Sequence, residues 1–374
     1  MQGFLYFAFM QKRFLLCLLG FTAAFSFRVK AQDFAAIGGT FKNPSDYDMI
    51  INAYLYPLDL IEGNSVSIMP ELDKSNNFEA RIGFDRPFYV RYVNRRKLLK
   101  GTYVMPGDKI WLTVADGEAR LTGSNKKLLT FLGKMQKEFE NAELEIADTA
   151  AFKTMGRVQL MNYLKERRDR QLRYVIEYFI GLPPLDMQMK KLLMAEINYS
   201  FALKMLRYGR SAGRDKRFVF RYNDYMGAIE EVTMSDPEAM ISTAYSQFIY
   251  ELPYTLWHSE INWGMTDKPP YNERVANEFV IRDSMARKYF SGEVYELALY
   301  AILLDAVKDA AKAKSKNEES YSAAYMKANG LIEKMGKAFT NRLYYSRLKS
   351  KLEETQAPTR VIEEPKKKKP VKKR

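Results

Sequence analysis

The sequence predicts an α+β protein with more than one domain: a small antiparallel β-sandwich followed by an all-α helical array. Three observations predict it. Up to residue 123 the chain shows short runs of strand character separated by turn dipeptides. From Lys126 onward the apolar spacing changes to that of a helix. The chain has 374 residues, 47% of them hydrophobic, which is enough for two separate cores.

The first element is a leader. Lys12 and Arg13 precede an apolar run from Phe14 to Phe27, and Val29-Lys30-Ala31 suits a cleavage site. This predicts a signal peptide over residues 1–31, with Met10 as an alternative start. The run is too short for a spanning helix, and no later run of about eighteen apolar residues follows. The single cysteine, Cys17, lies inside the leader, with Leu16 where a lipoprotein signal wants a small residue. The exported chain is therefore expected to be cysteine-free, with no disulfide, thiol nucleophile or thiolate ligand.

Residues 32–124 are expected to form the sandwich. The strand candidates are Phe34–Phe41, Met49–Leu55, Val66–Met69, Phe78–Phe84, Phe88–Val93, Tyr103–Met105, Ile110–Val114 and Ala119–Thr122. Asn43-Pro44-Ser45-Asp46, Glu62-Gly63-Asn64 and Asp85-Arg86-Pro87 punctuate them. Pro106-Gly107 is a turn signal, and Asp116-Gly117 joins the last two strands as a hairpin. Ser124 or Asn125 is placed to cap the helix that begins at Lys126.

Residues 125–356 are expected to be helical. Leu128, Leu129, Leu132, Met135 and Phe139 keep one face, and Phe152–Phe179 and Met187–Tyr208 follow as long helices. Pro237, behind Ser235-Asp236, starts a helix that is expected to end near Tyr250. Residues 251–272, with Pro253 and Pro269-Pro270, are read as an irregular aromatic connection. Val275–Tyr289, Gly292–Ala313 and Glu319–Lys351 complete the array, and Lys308 marks where the buried face of one helix turns solvated. Residues 357–374 carry eight basic residues and two acids, and are expected to form a disordered tail.

The formal charge of +14 resides mostly at the ends. The leader holds four basic residues and no acid, so the body between leader and tail is close to neutral. That argues against a nucleic-acid-binding fold, which carries its cations along one face. The lysine-rich tail is instead a candidate tether to an anionic envelope surface or an envelope protein.

Four stretches resemble the N-terminal β plus helical region of Bacteroidetes TlpA-type thioredoxin-like thiol-disulfide oxidoreductases. They are GTFKNP at Gly39–Pro44, YVMPGD at Tyr103–Asp108, LTGSNKKLLTFL at Leu121–Leu132 and YFSGEVYELALYAILLDAV at Tyr289–Val307. In that family a thioredoxin domain follows the helices. Here Gln356-Ala357-Pro358 occupies its expected start, and no Cys-x-x-Cys follows. The resemblance implies an accessory module without the redox activity.

No motif declares a chemistry. The densest basic loop, Arg207, Arg210, Arg214, Lys216 and Arg217 with two glycines, is a candidate anion site but lacks a P-loop ending. Trp257, Trp263 and Tyr271, beside Asn262 and Asp267, are a candidate sugar platform. His258, the only histidine, lies beside Glu260 and is the one candidate imidazole base. Ser124–Lys127 and Ser346–Lys349 have Ser-x-x-Lys spacing, which needs a deprotonated lysine to matter. No cluster has metal spacing, and no cofactor is expected. The leading expectation is a non-catalytic, exported binding or scaffold protein of the periplasm or outer membrane. The alternative is a glycan- or peptide-processing hydrolase that uses the 251–272 segment.

Overall fold

The computed structural model describes residues 34–44, 47–95, 97–115, 118–124, 126–147, 157–182, 187–212, 227, 229–262, 277–315 and 317–356. Two compact units divide these residues. The first takes 34–55 and 66–132, and the second takes 56–65 and 133–356.

Eight strands build the first unit: β1 (Phe34–Phe41), β2 (Met49–Tyr54), β3 (Val66–Ile68), β4 (Asn77–Gly83), β5 (Phe88–Asn94), β6 (Lys97–Val104), β7 (Lys109–Ala115) and β8 (Glu118–Gly123). They form two four-stranded sheets, ordered β4-β1-β7-β8 and β3-β2-β5-β6. Alternate residues of both sheets meet in one core. Ile37, Phe78, Ile110 and Leu112 come from one sheet, and Ile51, Phe88, Val90 and Tyr92 from the other. The α+β class and the sandwich are as the alternation predicts. One pairing departs from an all-antiparallel sheet: β1 runs parallel to β7. No hairpin ties those two strands together, so turn geometry does not dictate their direction.

The Pro106-Gly107 turn forms as read. Gly107 takes φ +82°, a left-handed value that suits glycine, and the Asp108 carboxylate accepts the Met105 N–H at 2.9 Å. β7 and β8 pair antiparallel, while Asp116 and Gly117 lie outside the described residues. Ser124 does not serve the following helix with its side chain. Its hydroxyl accepts the Lys109 N–H at 3.0 Å and finishes the β7 ladder instead.

Helices follow: α1 (Pro57–Glu62), α2 (Lys126–Ala147), α3 (Arg157–Phe179), α4 (Met187–Ala212), α5 (Thr243–Asn262), α6 (Glu278–Tyr289), α7 (Gly292–Lys314), α8 (Glu318–Met335) and α9 (Arg342–Glu354). The division between the units falls within α2, after Leu132. In the second unit α7 is the central helix, packed by α1, α5, α6, α8 and α9. It is buried on nearly every side: Leu297, Ala298, Leu299, Tyr300 and Ile302 form a continuous covered run.

Three helical expectations need correction. Residues 251–262 are not an irregular connection. They continue α5 straight through Pro253. Tyr245, Phe248, Ile249, Leu252 and Leu256 hold one buried face across the proline. Each such side chain is worth about 1.5–3 kcal/mol when fully buried, and together they outweigh the roughly 3 kcal/mol cost of an interior proline. Pro237 starts only a 3-10 turn, Pro237–Ala239, and α5 begins at Thr243. Its start is fixed by the Glu196 carboxylate of α4, which accepts the Ala244 N–H at 3.2 Å and the Ser242 and Thr243 hydroxyls at 2.7 Å. Finally, Glu319–Lys351 is two helices. The chain turns at Gly336–Ala338, and α9 restarts behind Asn341, whose side chain accepts the Leu343 N–H at 3.1 Å.

Among the described residues no helix is long and apolar enough to cross a membrane.

Candidate functional site

A groove of about 570 Å³ opens where α5, α6 and α7 meet in the helical unit. α5 contributes Tyr250, Glu251, Tyr254 and Trp257, one side of the helix at spacings of three and four. α6 contributes Glu278 and Arg282, one turn apart. α7 contributes Asp305, Lys308, Asp309 and Lys312. The last four alternate in sign along one face, just where the apolar run of α7 gives out.

Arg282 is the floor of the groove, and its side chain is 1% exposed. Its guanidinium donates to Asp305 Oδ2 at 2.8 Å and to Glu278 Oε1 at 3.2 Å. Its Cζ lies 5.3 Å from the Tyr254 ring centroid. The Nε–H has no hydrogen-bond partner among the described residues. A buried guanidinium is tolerated here because two carboxylates and an aromatic face replace its water. Tyr250 donates to the other Asp305 oxygen at 3.0 Å, so Asp305 is held from both sides. Burial, aided by the charge of Asp305, pushes the Tyr250 hydroxyl up to about 12.

Two acids stand apart electrostatically. Burial raises the Glu278 carboxyl above its ordinary value, with Arg282 opposing and Asp309 and Asp305 adding to the rise. Asp309 is raised too, by shielding and then by Asp305, although it still reaches solvent. Asp309 and Lys312 form the open rim. Among the described residues neither side chain makes a hydrogen bond or an ion pair, so both are available to a ligand.

The lining is balanced in charge. Glu278, Asp305 and Asp309 face Arg282, Lys308 and Lys312, and Glu251 is neutralised from outside by Arg207. Among the described residues no group of three or more histidine, cysteine, aspartate or glutamate side chains is arranged to hold a metal.

The residues singled out from sequence distribute unevenly. Arg207 on α4 is committed within the bundle: it forks onto Glu251 at 2.7 Å and 3.1 Å and reaches Gln247 at 3.0 Å. Trp257 lines the groove and is 9% exposed, a wall and not an open platform. Arg210 lies on α4 and His258 on α5, with side chains outside the described set. Arg214, Lys216, Arg217, Trp263, Tyr271 and Asp267 lie outside the described residues. The structure thus links Arg207 and Trp257 through one shared wall, α5.

Neither Ser-x-x-Lys pair in the described residues is an activated dyad. Ser346 donates to the Leu343 carbonyl at 3.1 Å, and Lys349 pairs with Glu333 and with Asn329. The bond to Glu333 raises the Lys349 ammonium, the opposite of what a base requires.

Reading the sequence did not find Glu278, Arg282, Asp305 or Asp309. One signal was present: an arginine directly after the apolar stretch Phe279-Val280-Ile281, four residues after a glutamate. No protein-family model matches the chain, and a search of curated proteins finds no match either.

Proposed function

We propose that this chain is an exported, non-catalytic binding or scaffold protein of the cell envelope, and that the α5–α6–α7 groove is where it binds. The observation that carries this reading is the groove itself. It is a concave site whose inner charges are already tied to one another and whose rim carries an acid and a cation, Asp309 and Lys312, that make no hydrogen bond among the described residues. Such an arrangement recognises a ligand without needing a nucleophile. Export is supported by the basic pair and apolar run at Lys12–Phe27. The resemblance to the accessory region of TlpA-type proteins fits a binding role. Residues 34–356 contain no cysteine, so thiol-disulfide exchange does not belong to these two units.

The test exploits the exposed rim. Swapping its charges with Asp309→Lys and Lys312→Glu keeps the net charge and disturbs no described hydrogen bond. Capture from the native envelope fraction is expected to lose its specific partner in the swapped protein. An identical capture profile from both proteins would refute the groove as the binding site.

A hydrolase acting on envelope glycans or peptides is the second reading, favoured by one observation. Glu278 and Asp309 both hold their protons more tightly than an unperturbed carboxyl, chiefly through burial, the direction a general acid needs. That reading requires turnover on isolated peptidoglycan and its loss in Glu278→Gln. No turnover by the wild-type protein removes it.

A further inference from the structure

A second site lies in the other unit, on the outer face of the β4-β1-β7-β8 sheet. Trp111 of β7 is the exposed tryptophan of that face, at 38%. Its neighbour across the parallel pairing is Gly38 of β1. A Cβ built on Gly38 would sit 2.6 Å from Cζ3 and 2.7 Å from Cε3 of the indole. The benzenoid edge therefore occupies the space where a side chain at position 38 would stand. The opposite edge is pinned as well. The indole N–H donates to Thr40 Oγ1 at 3.2 Å, and Thr40 in turn donates to Asn77 Oδ1 at 2.7 Å. Gly38 and Thr40 are two apart on one strand and share a face. A ring anchored at both must lie along the sheet and cannot stand upright from it.

The indole's polar atom is thereby satisfied from within, and the side turned to solvent is a bare π surface. Among the described residues no ring or cation stacks on it. The flanks carry matched charges: Arg81 with Glu79 at 3.0 Å on β4, and Arg120 with Glu118 at 3.3 Å on β8. In the registers, Glu79 stands opposite Gly38 and Thr122 opposite Trp111, so donors and acceptors border the ring on both sides.

We infer that Trp111, seated on Gly38 and Thr40, is a stacking platform for a pyranose ring of a neutral oligosaccharide. The C–H face of a pyranose is weakly positive and fits the negative face of an aromatic ring. Its ring-edge hydroxyls both donate and accept, which suits paired acids and bases with no net charge. An anionic or cationic polymer would meet one repelling partner in each pair. The inference stands on the sandwich alone and does not depend on the groove.

The experiment uses the full chain and a panel of neutral hexasaccharides: cello-, xylo-, malto- and N-acetylchitohexaose. Isothermal titration calorimetry is expected to show saturable binding of at least one of them. Trp111→Ala should weaken it at least tenfold, and the rim swap in the groove should leave it within twofold. In the wild-type protein the bound sugar should protect the Trp111 indole from N-bromosuccinimide, mapped by peptide mass spectrometry, so the test survives a variant that fails to fold. Absence of binding across the panel overturns the inference. So does binding without protection of Trp111, or binding lost in the groove swap and retained in Trp111→Ala; the latter moves the sugar to the groove and leaves the binding reading intact.

Discussion

Arg282 carries a full charge in the interior of the helical unit, and two carboxylates and a tyrosine face are what allow it. Removing it strands Glu278 and Asp305. Arg282→Met should therefore cost about 3–5 kcal/mol in urea denaturation, with Arg282→Lys recovering only part because an ammonium cannot fork to both acids. Glu278 itself works in the other direction. Its folded pKa is raised above the unfolded value, chiefly by burial, so the native state holds the proton more tightly. The stability this confers is complete below the ordinary carboxylate range and is lost as pH rises through the raised value. Relative to Glu278→Gln, wild type should thus become progressively less stable across that window, as measured by denaturation at stepped pH. Glu231 shows the converse. Burial opposes its ionisation, but hydrogen bonds from Lys165 and Arg168 prevail and lower it, so its contribution is lost as pH falls.

At the level of single elements, α5 and α1 are instructive. Pro253 stays inside α5 because the apolar face on either side of it is continuous. Restoring the missing N–H with Pro253→Ala should stabilise the protein by roughly 1–2 kcal/mol, less than the full helical penalty because the buried ring is lost; a thermal melt checks it. α1 has only six residues, too few for any period to show, and its Glu62-Gly63-Asn64 end reads as a simple turn. Strands were easier to read. In β1, β4 and β7 one face is covered and the other open, so alternation survives in the residues themselves. The first half of β6, Lys97-Leu98-Leu99-Lys100, escaped notice because it follows two arginines and its paired leucines between lysines break the alternation of a strand. The groove was illegible for a different reason. Its ten residues come from three successive helices and spread over positions 250–312, and apart from Trp257 each one alone reads as an ordinary helix position. Only Arg282, which follows three apolar residues and lies four after Glu278, carries a local signal.

For the molecule as a whole, the placement of α1 matters most. Leu58 joins the core of the helical unit. Glu62, 1% exposed, accepts from Arg347 at 2.8 Å and from Tyr300, and pairs with Lys351 at 3.3 Å, while Arg347 also reaches Asp59 at 3.2 Å. Arg347→Ala should destabilise the helical unit by about 3 kcal/mol in chemical denaturation, since a buried carboxylate loses its main counter-charge. A sandwich expressed as residues 34–132 should aggregate with Leu58 uncovered. Replacing 55–65 by a two-residue turn should let it fold alone, with a cooperative melt as the criterion. The proposed membrane tether, residues 357–374, belongs to this scale too. On that proposal its eight cations contribute on the order of 1 kcal/mol each beside an anionic membrane; wild type should then co-sediment with anionic vesicles at low salt, and a chain lacking 359–374 should not.

The same short helix makes the chain topologically stitched. Following the backbone, one passes from the first unit to the second at residue 56, back at 66, and across again after 132. A single protease nick between α2 and α3 would give two bands on a denaturing gel yet one peak in native gel filtration. The N-terminal piece would still leave a peg, Leu58 with Glu62, lodged in the body of its former partner.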